Sequence, residues 1–130
     1  MSHFTSVKTK MVDEQCLRNA LLRQGYSVPA GPTAIGGWQG QSRTVDVGIP
    51  NLRKGFGVGF ERDAAGAFYA VADWSELDKC GIRRRTLISE IVQAYGLEAT
   101  VTTMSAKGFV VADQRSEADG SLRIVMRRVS

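Results

Sequence analysis

The chain has 130 residues with 17 basic and 13 acidic side chains, a formal net charge of +4 and an isoelectric point near 9.4. An apolar fraction of 43% beside 23% charged residues excludes a disordered chain, and the length suits one domain that buries roughly two-thirds of its unfolded surface. No run of apolar residues is long enough to cross a bilayer as a helix, and Cys16, Cys80 and the lone His3 have no zinc-ligand spacing.

Residues 4–11 alternate Thr5, Val7 and Thr9 with Ser6, Lys8 and Lys10, the period-two pattern of a strand with one polar face. Asp13 then stands where a helix N-cap belongs. Cys16, Leu17, Ala20 and Leu21 recur at helical spacing, and Gly25 follows at the usual terminating position. Residues 26–43 hold Gly31, Gly36, Gly37 and Gly40 with Pro29 and Pro32, which predicts an irregular loop with Trp38 as a lid over one end of the core.

Residues 44–49, 56–61 and 67–74 are short runs rich in Val, Phe and Tyr and read as an antiparallel meander. Leu87, Ile88, Ile91, Val92 and Tyr95 mark a second amphipathic helix, with Thr86 as its N-cap and Gly96 as its end. Residues 100–104 read as a further strand and residues 108–128 as a hairpin. A three-residue loop of Ala118, Asp119 and Gly120, with Gly120 left-handed, sets Ala112 opposite Met126 and Gln114 opposite Ile124 and leaves Arg115 and Arg123 on the wet side. The order β-α-β-β-β-α-β-β-β predicts an α+β fold, an antiparallel sheet of about six or seven strands with two helices packed on one face. Residues 1–130 are expected to form a single soluble domain that needs no cofactor.

The chemistry-bearing motifs are few. The glycine-rich residues 55–60 lack the Gly-Lys-Ser/Thr ending of a phosphate loop and lead into a strand, so they read as a close backbone approach. Asp73, Glu76 and Asp78 cluster after a strand end, where such groups more often cap a following turn or helix than catalyse. Arg83, Arg84 and Arg85 form the densest charge run, just before a helix whose dipole favours anions there. An anionic partner would relieve that conflict, and a solvated loop is the bland alternative. Lys8 and Lys10, with Arg127 and Arg128, extend the patch only if their strands are neighbours. No nucleophile elbow, Walker motif or aromatic RNA-binding pattern is present.

The opening Met1-Ser-His-Phe-Thr-Ser-Val-Lys-Thr-Lys10, the pentad Gly37-Trp-Gln-Gly-Gln41, Val58-Gly-Phe60 followed by Val71-Ala-Asp73, and Gly108-Phe with Asp119-Gly-Ser-Leu-Arg-Ile-Val-Met-Arg127 carry a resemblance over essentially the whole chain. With these motifs the sequence resembles the hypothetical chloroplast reading frame thirty-five family. Its members are small proteins of cyanobacteria and red-lineage plastids, with bacterial relatives, and form a domain of unknown function. Two widely separated cysteines and an N-terminal stretch without an apolar leader pattern predict a cytoplasmic location, stromal if plastid-encoded, and the resemblance supplies no catalytic residues to carry over. It also implies an accessory role, because relatives tend to be encountered beside AAA-type ATPases. Two departures stand out: Val129 follows Arg128 where relatives tend to have an aromatic residue, and the run of Arg83, Arg84 and Arg85 lies outside the family pattern.

The leading expectation is a non-enzymatic accessory or interaction protein, a subunit or adaptor of a larger assembly with an AAA-type ATPase as candidate partner, offering a sheet face, its edge or the 26–43 loop. Nucleic-acid binding through Arg83, Arg84 and Arg85 is the alternative. A small-molecule or cofactor site walled by residues 55–60 beneath Trp38 is the second alternative. The candidate contact residues are thus Arg83, Arg84, Arg85, Lys8, Lys10 and Trp38, with no catalytic or metal-ligating residue assigned.

Overall fold

A computed structural model describes residues 3–129, so Met1 and Ser2 of the opening motif, and Ser130, lie outside the described residues. In chain order the elements are β1 (Thr5–Lys8), α1 (Glu14–Arg23), β2 (Thr33–Gly36), a 3₁₀ turn (Trp38–Gly40), β3 (Ser42–Val45), β4 (Val47–Arg53), β5 (Phe56–Arg62) and β6 (Phe68–Ala72). They continue with α2 (Trp74–Lys79), α3 (Arg84–Ala106), β7 (Phe109–Ser116) and β8 (Leu122–Arg128). The fold is α+β, as the grouping of strands predicts.

Side-chain alternation explains the layering. In the antiparallel sheet β1-β6-β5-β4, Val47, Ile49, Val58, Phe60, Ala70 and Ala72 share one face. They bury against Leu17 and Leu21 of α1, Leu77 of α2 and Leu87 and Ile91 of α3. Fully burying a side chain such as Phe60 is worth about 1.5–3 kcal/mol relative to leaving it in water. The opposite face is covered by the separate two-stranded sheet of β2 and β3, whose Ile35 and Val45 meet Val71.

The glycine-rich stretch permits that second layer. A Cβ at Gly59 would lie 2.5 Å from both methyl carbons of Val45, and one at Gly57 would lie 3.0 Å from the Ile35 Cβ. Residues 55–60 therefore let one sheet seat directly on another, a backbone approach that any side chain would hold apart. The same stretch begins in the β4–β5 turn, where Lys54 and Gly55 both have positive φ, of 54° and 83°, and Arg53 pairs with Phe56. Those angles suit a two-residue hairpin turn of the primed type.

Several sequence expectations are corrected. Among the described residues, eight strands form sheets of four, two and two instead of one sheet of six or seven, and three helices stand where two are expected. Residues 26–43 are not irregular throughout, since they contain β2, the 3₁₀ turn and the start of β3. The expected strand at 100–104 is helical: α3 passes through Gly96, where a Cβ would meet nothing within 4 Å, and runs on to Ala106. Leu97 and Glu98 continue its buried stripe, so packing overrides the weak helix propensity of the Thr-Val-Thr-Thr run. α3 also starts earlier than Thr86, with Arg83 at the N-cap.

The hairpin β7–β8 keeps part of its expected register. Gln114 faces Ile124 and Arg115 faces Arg123, and the loop closes through the Glu117 N–H to the Ser121 carbonyl. Ala112 does not face Met126. A bulge at that point sets Val111 opposite Met126 and Asp113 opposite Val125.

Candidate functional site

β1 is an outer strand of the four-stranded sheet and pairs only with β6. The Thr9 N–H turns inward to the Phe68 carbonyl at 3.3 Å. Strand alternation then turns the N–H and C=O groups of Ser6 and Lys8 outward, along an edge that no other strand covers among the described residues. Both residues are exposed.

Beside this edge runs the first part of α3. Between them lies a groove of about 500 Å³ lined by Val7, Ile88, Val92, Arg84, Arg85 and Gln93. Val92 is 42% exposed, so the apolar lining is open to water.

The three arginines of the sequence run separate here. Arg83 caps the helix with its backbone only and gives its guanidinium to Asp78 at 2.9 Å. Arg84 and Arg85 reach the groove and have no ion pair among the described residues. No acidic residue occupies the first turn of α3, so the positive end of the helix dipole adds to both charges.

Lys8 and Lys10 do not join them. Val7 packs toward the helix-side core, whereas Lys8 pairs with Tyr69, whose ring belongs to the cluster on the opposite sheet face. Lys8 therefore projects away from the groove, and Lys10 lies exposed just past the strand end. Arg127 and Arg128 sit on β8 in a different sheet, where Arg128 lies 4.8 Å from the Phe109 ring centroid.

Trp38 is a joint of the fold. Its backbone N–H donates to Oδ2 of Asp73 at 3.1 Å, while the other carboxylate oxygen of Asp73 accepts the Glu76 N–H and caps α2. Asp73 is only 1% exposed. Trp38 lines neither of the two grooves described here, and Gly57 and Gly59 face the β2–β3 layer. Ile35 and Val45 fill the space above these two glycines.

Three further carboxylates, half-buried Glu61 and buried Glu98 and Glu76, are each held by a cation. Arg43 donates two hydrogen bonds of 3.0 Å to Glu61, and the Tyr69 hydroxyl adds a third at 2.6 Å. Those bonds, Arg43 first, hold the Glu61 carboxyl below the usual carboxylate range against the opposing effect of burial. The same carboxylate raises the tyrosine and the guanidinium above their ordinary values. Glu98 meets Arg23 at 2.6 Å and Glu76 meets Lys79 at 3.2 Å. Among the described residues, no group of three or more His, Cys, Asp or Glu is placed to hold a metal ion, and no helix is long and apolar enough to cross a membrane.

A second groove, of about 610 Å³, was not foreseen from the sequence. It lies between the end of β4 and the link from α2 to α3, with Tyr26, Asn51, Arg53, Ile82, Arg83 and Glu90 in its lining. Burial first, and then the Glu90 charge, push the Tyr26 hydroxyl up from its ordinary value. On its β4 side the groove is lined by residues 49–53, where the β4–β5 register is irregular and Pro50 is a local signal of it.

The profile of a protein family described as "protein of unknown function (DUF1257)" matches residues 20–125. The chain belongs to that family. It is also 29% identical over 128 residues to a protein of Cyanophora paradoxa designated "uncharacterized protein ycf35", a match that covers 98% of each chain. The resemblance to the chloroplast reading frame thirty-five family therefore holds along the chain. No solved structure matches it.

In this DUF1257 fold three of the motifs that carry the resemblance meet at one place, and the C-terminal one forms the separate β7–β8 hairpin. Gly37 lies against the Phe4 ring so closely that a Cβ would stand 2.7 Å from it, Trp38 is bonded to Asp73, and Val71 packs in the same cluster as Phe4. Family-typical residues thus join β1, the 3₁₀ turn and the start of α2. Arg84 and Arg85 stand apart from that joint, on the other side of β1.

Proposed function

We propose that this DUF1257 protein is a non-catalytic interaction module, an accessory subunit or adaptor that docks onto a larger protein through the β1 edge and the groove beside α3. The observation that supports this reading is a coincidence on one surface: outward backbone groups at Ser6 and Lys8, an apolar lining of exposed Val92 with half-buried Val7 and Ile88, and two arginines without an ion pair among the described residues. Each is a liability in a lone chain. An open edge templates strand pairing, an open apolar lining favours association, and cations at a helix N-terminus oppose the dipole. A protein covering all three relieves them together. An AAA-type ATPase is the candidate partner that the family resemblance suggests.

Site-directed photo-crosslinking in native extract tests the reading. A crosslinking residue at position 89, on the groove wall, is expected to attach to one defined protein whose site maps by mass spectrometry. The same probe at position 39, across the molecule, is expected not to. The double variant Arg84→Glu/Arg85→Glu should abolish the product. No defined product at position 89, or one indifferent to both arginines, overturns the proposal.

A further inference from the structure

We infer that the occupant of this groove is an extended acidic segment of the partner, which adds to the four-stranded sheet as a fifth strand beside β1. The inference rests on the interaction reading above and specifies the partner's chemistry. Ser6 and Lys8 offer two outward N–H donors and two outward C=O acceptors, a pattern that an extended backbone satisfies and a helix does not. A strand paired there would lie about 4.8 Å from β1, and every second side chain would turn toward the groove. One of those positions meets the apolar lining of Val7, Ile88 and Val92, and its neighbours on the same face reach Arg84 and Arg85. Carboxylates at those neighbouring positions pair with the two guanidinium groups and oppose the positive helix end. A carboxylate on the segment's other face comes alongside Lys8.

Charge decides between occupants. A second copy pairing β1 against β1 would bring Lys8, Arg84 and Arg85 of both chains together, which is repulsive. A nucleic acid would satisfy the arginines but leave the strand edge and the valines unmatched. The basic residues it would need are also divided, with Lys8 on one face of the sheet and Arg84 and Arg85 on the other.

The test uses the full chain and three fluorescent probes: the octapeptide Thr-Glu-Thr-Val-Glu-Glu-Thr-Thr, whose alternate positions present Glu, Val and Glu on one face, its counterpart with lysine for every glutamate, and a single-stranded oligonucleotide. The acidic peptide is expected to bind and to slow amide hydrogen exchange at Ser6 and Lys8 by about ten-fold or more. Arg84→Glu/Arg85→Glu should weaken it by at least about ten-fold and transfer preference to the lysine peptide. That variant places anions at a helix N-terminus, so its fold is expected to persist. Ser6→Pro removes one outward N–H at an edge position that tolerates proline and should also abolish binding. Failure of the acidic peptide to protect Ser6 and Lys8, equal binding to Ser6→Pro, or binding by the oligonucleotide alone overturns the inference. If the position-89 crosslink persists in that event, the interaction reading survives and only the fifth-strand mode falls.

Discussion

The four-stranded sheet and the β7–β8 hairpin are built on the same alternating pattern and end in different states. In the sheet, Phe60, Val58 and Ala70 are wholly excluded from water, because helices cover one face and β2–β3 the other. In residues 108–129 no side chain is buried; Leu122, Ile124 and Met126 are half-buried, and Val110 and Val125 are exposed. Alternation selects the face that turns inward, and the number of covering layers sets how deep it goes. A two-stranded hairpin is marginal by itself. This one is fastened to the helices through Gln114 to Arg23 at 3.4 Å and through the Gly120 carbonyl to Gln93 at 3.0 Å.

The sharpest way to break the comparison is to make the same kind of cut in both regions. Phe60→Ala empties a site enclosed on every side and is expected to cost about 3–5 kcal/mol in denaturant unfolding. Met126→Ala removes a half-exposed side chain from the hairpin and should cost about 1 kcal/mol. Equal losses would mean that the hairpin is as deeply integrated as the sheet, contrary to its exposure.

Between these extremes lies the ion pair under the β2–β3 layer. Glu61→Gln keeps the shape and removes the charge that accepts two bonds from Arg43 and one from Tyr69. A loss of about 1–2 kcal/mol at neutral pH is expected, moderated because Arg43 is 40% exposed to solvent. The folded-state value of Glu61 lies below its ordinary 4.5, so the unfolded chain takes up the proton first as pH falls. The stabilisation is therefore full above that ordinary value and disappears as pH drops through the lower folded value. Wild type and variant should converge in acid unfolding curves, and a gap that persists at the acid end would show that shape matters and charge does not.

How much of this was legible in the sequence follows from the range of each signal. Asp13 capping α1, the Cys16, Leu17, Ala20, Leu21 stripe and the Gly120 loop are local, and each is found where its pattern places it. The β-branched residues 100–103 favour a strand locally, and the packing of α3 against α1 and β7, which no local pattern reveals, makes them helical. α2 escaped notice because six residues are too few for periodicity to show, although Asp73 as its cap was the clue. The groove is the least local feature of all. Val7 and Arg85 are 78 positions apart, and nothing in either segment announces the other.

An equally small effect discriminates most finely. Gly120 has φ of 88°, and a Cβ there would meet nothing within 4 Å, so Gly120→Ala acts on the backbone alone and should cost about 1 kcal/mol. If the hairpin opens independently of the sheet, the cost falls on that local equilibrium. Amides of Gln114 and Ile124 would then exchange faster, while the melting transition followed by Trp74, packed in the helix-side core, stays in place. If the hairpin unfolds only with the rest, exchange and melting shift together by the same free energy. The first outcome is expected, because among the described residues the hairpin is hydrogen-bonded to α3 and α1 through the side chains of Gln93 and Arg23, whereas every strand of the central sheet is held by its backbone and by a covered face.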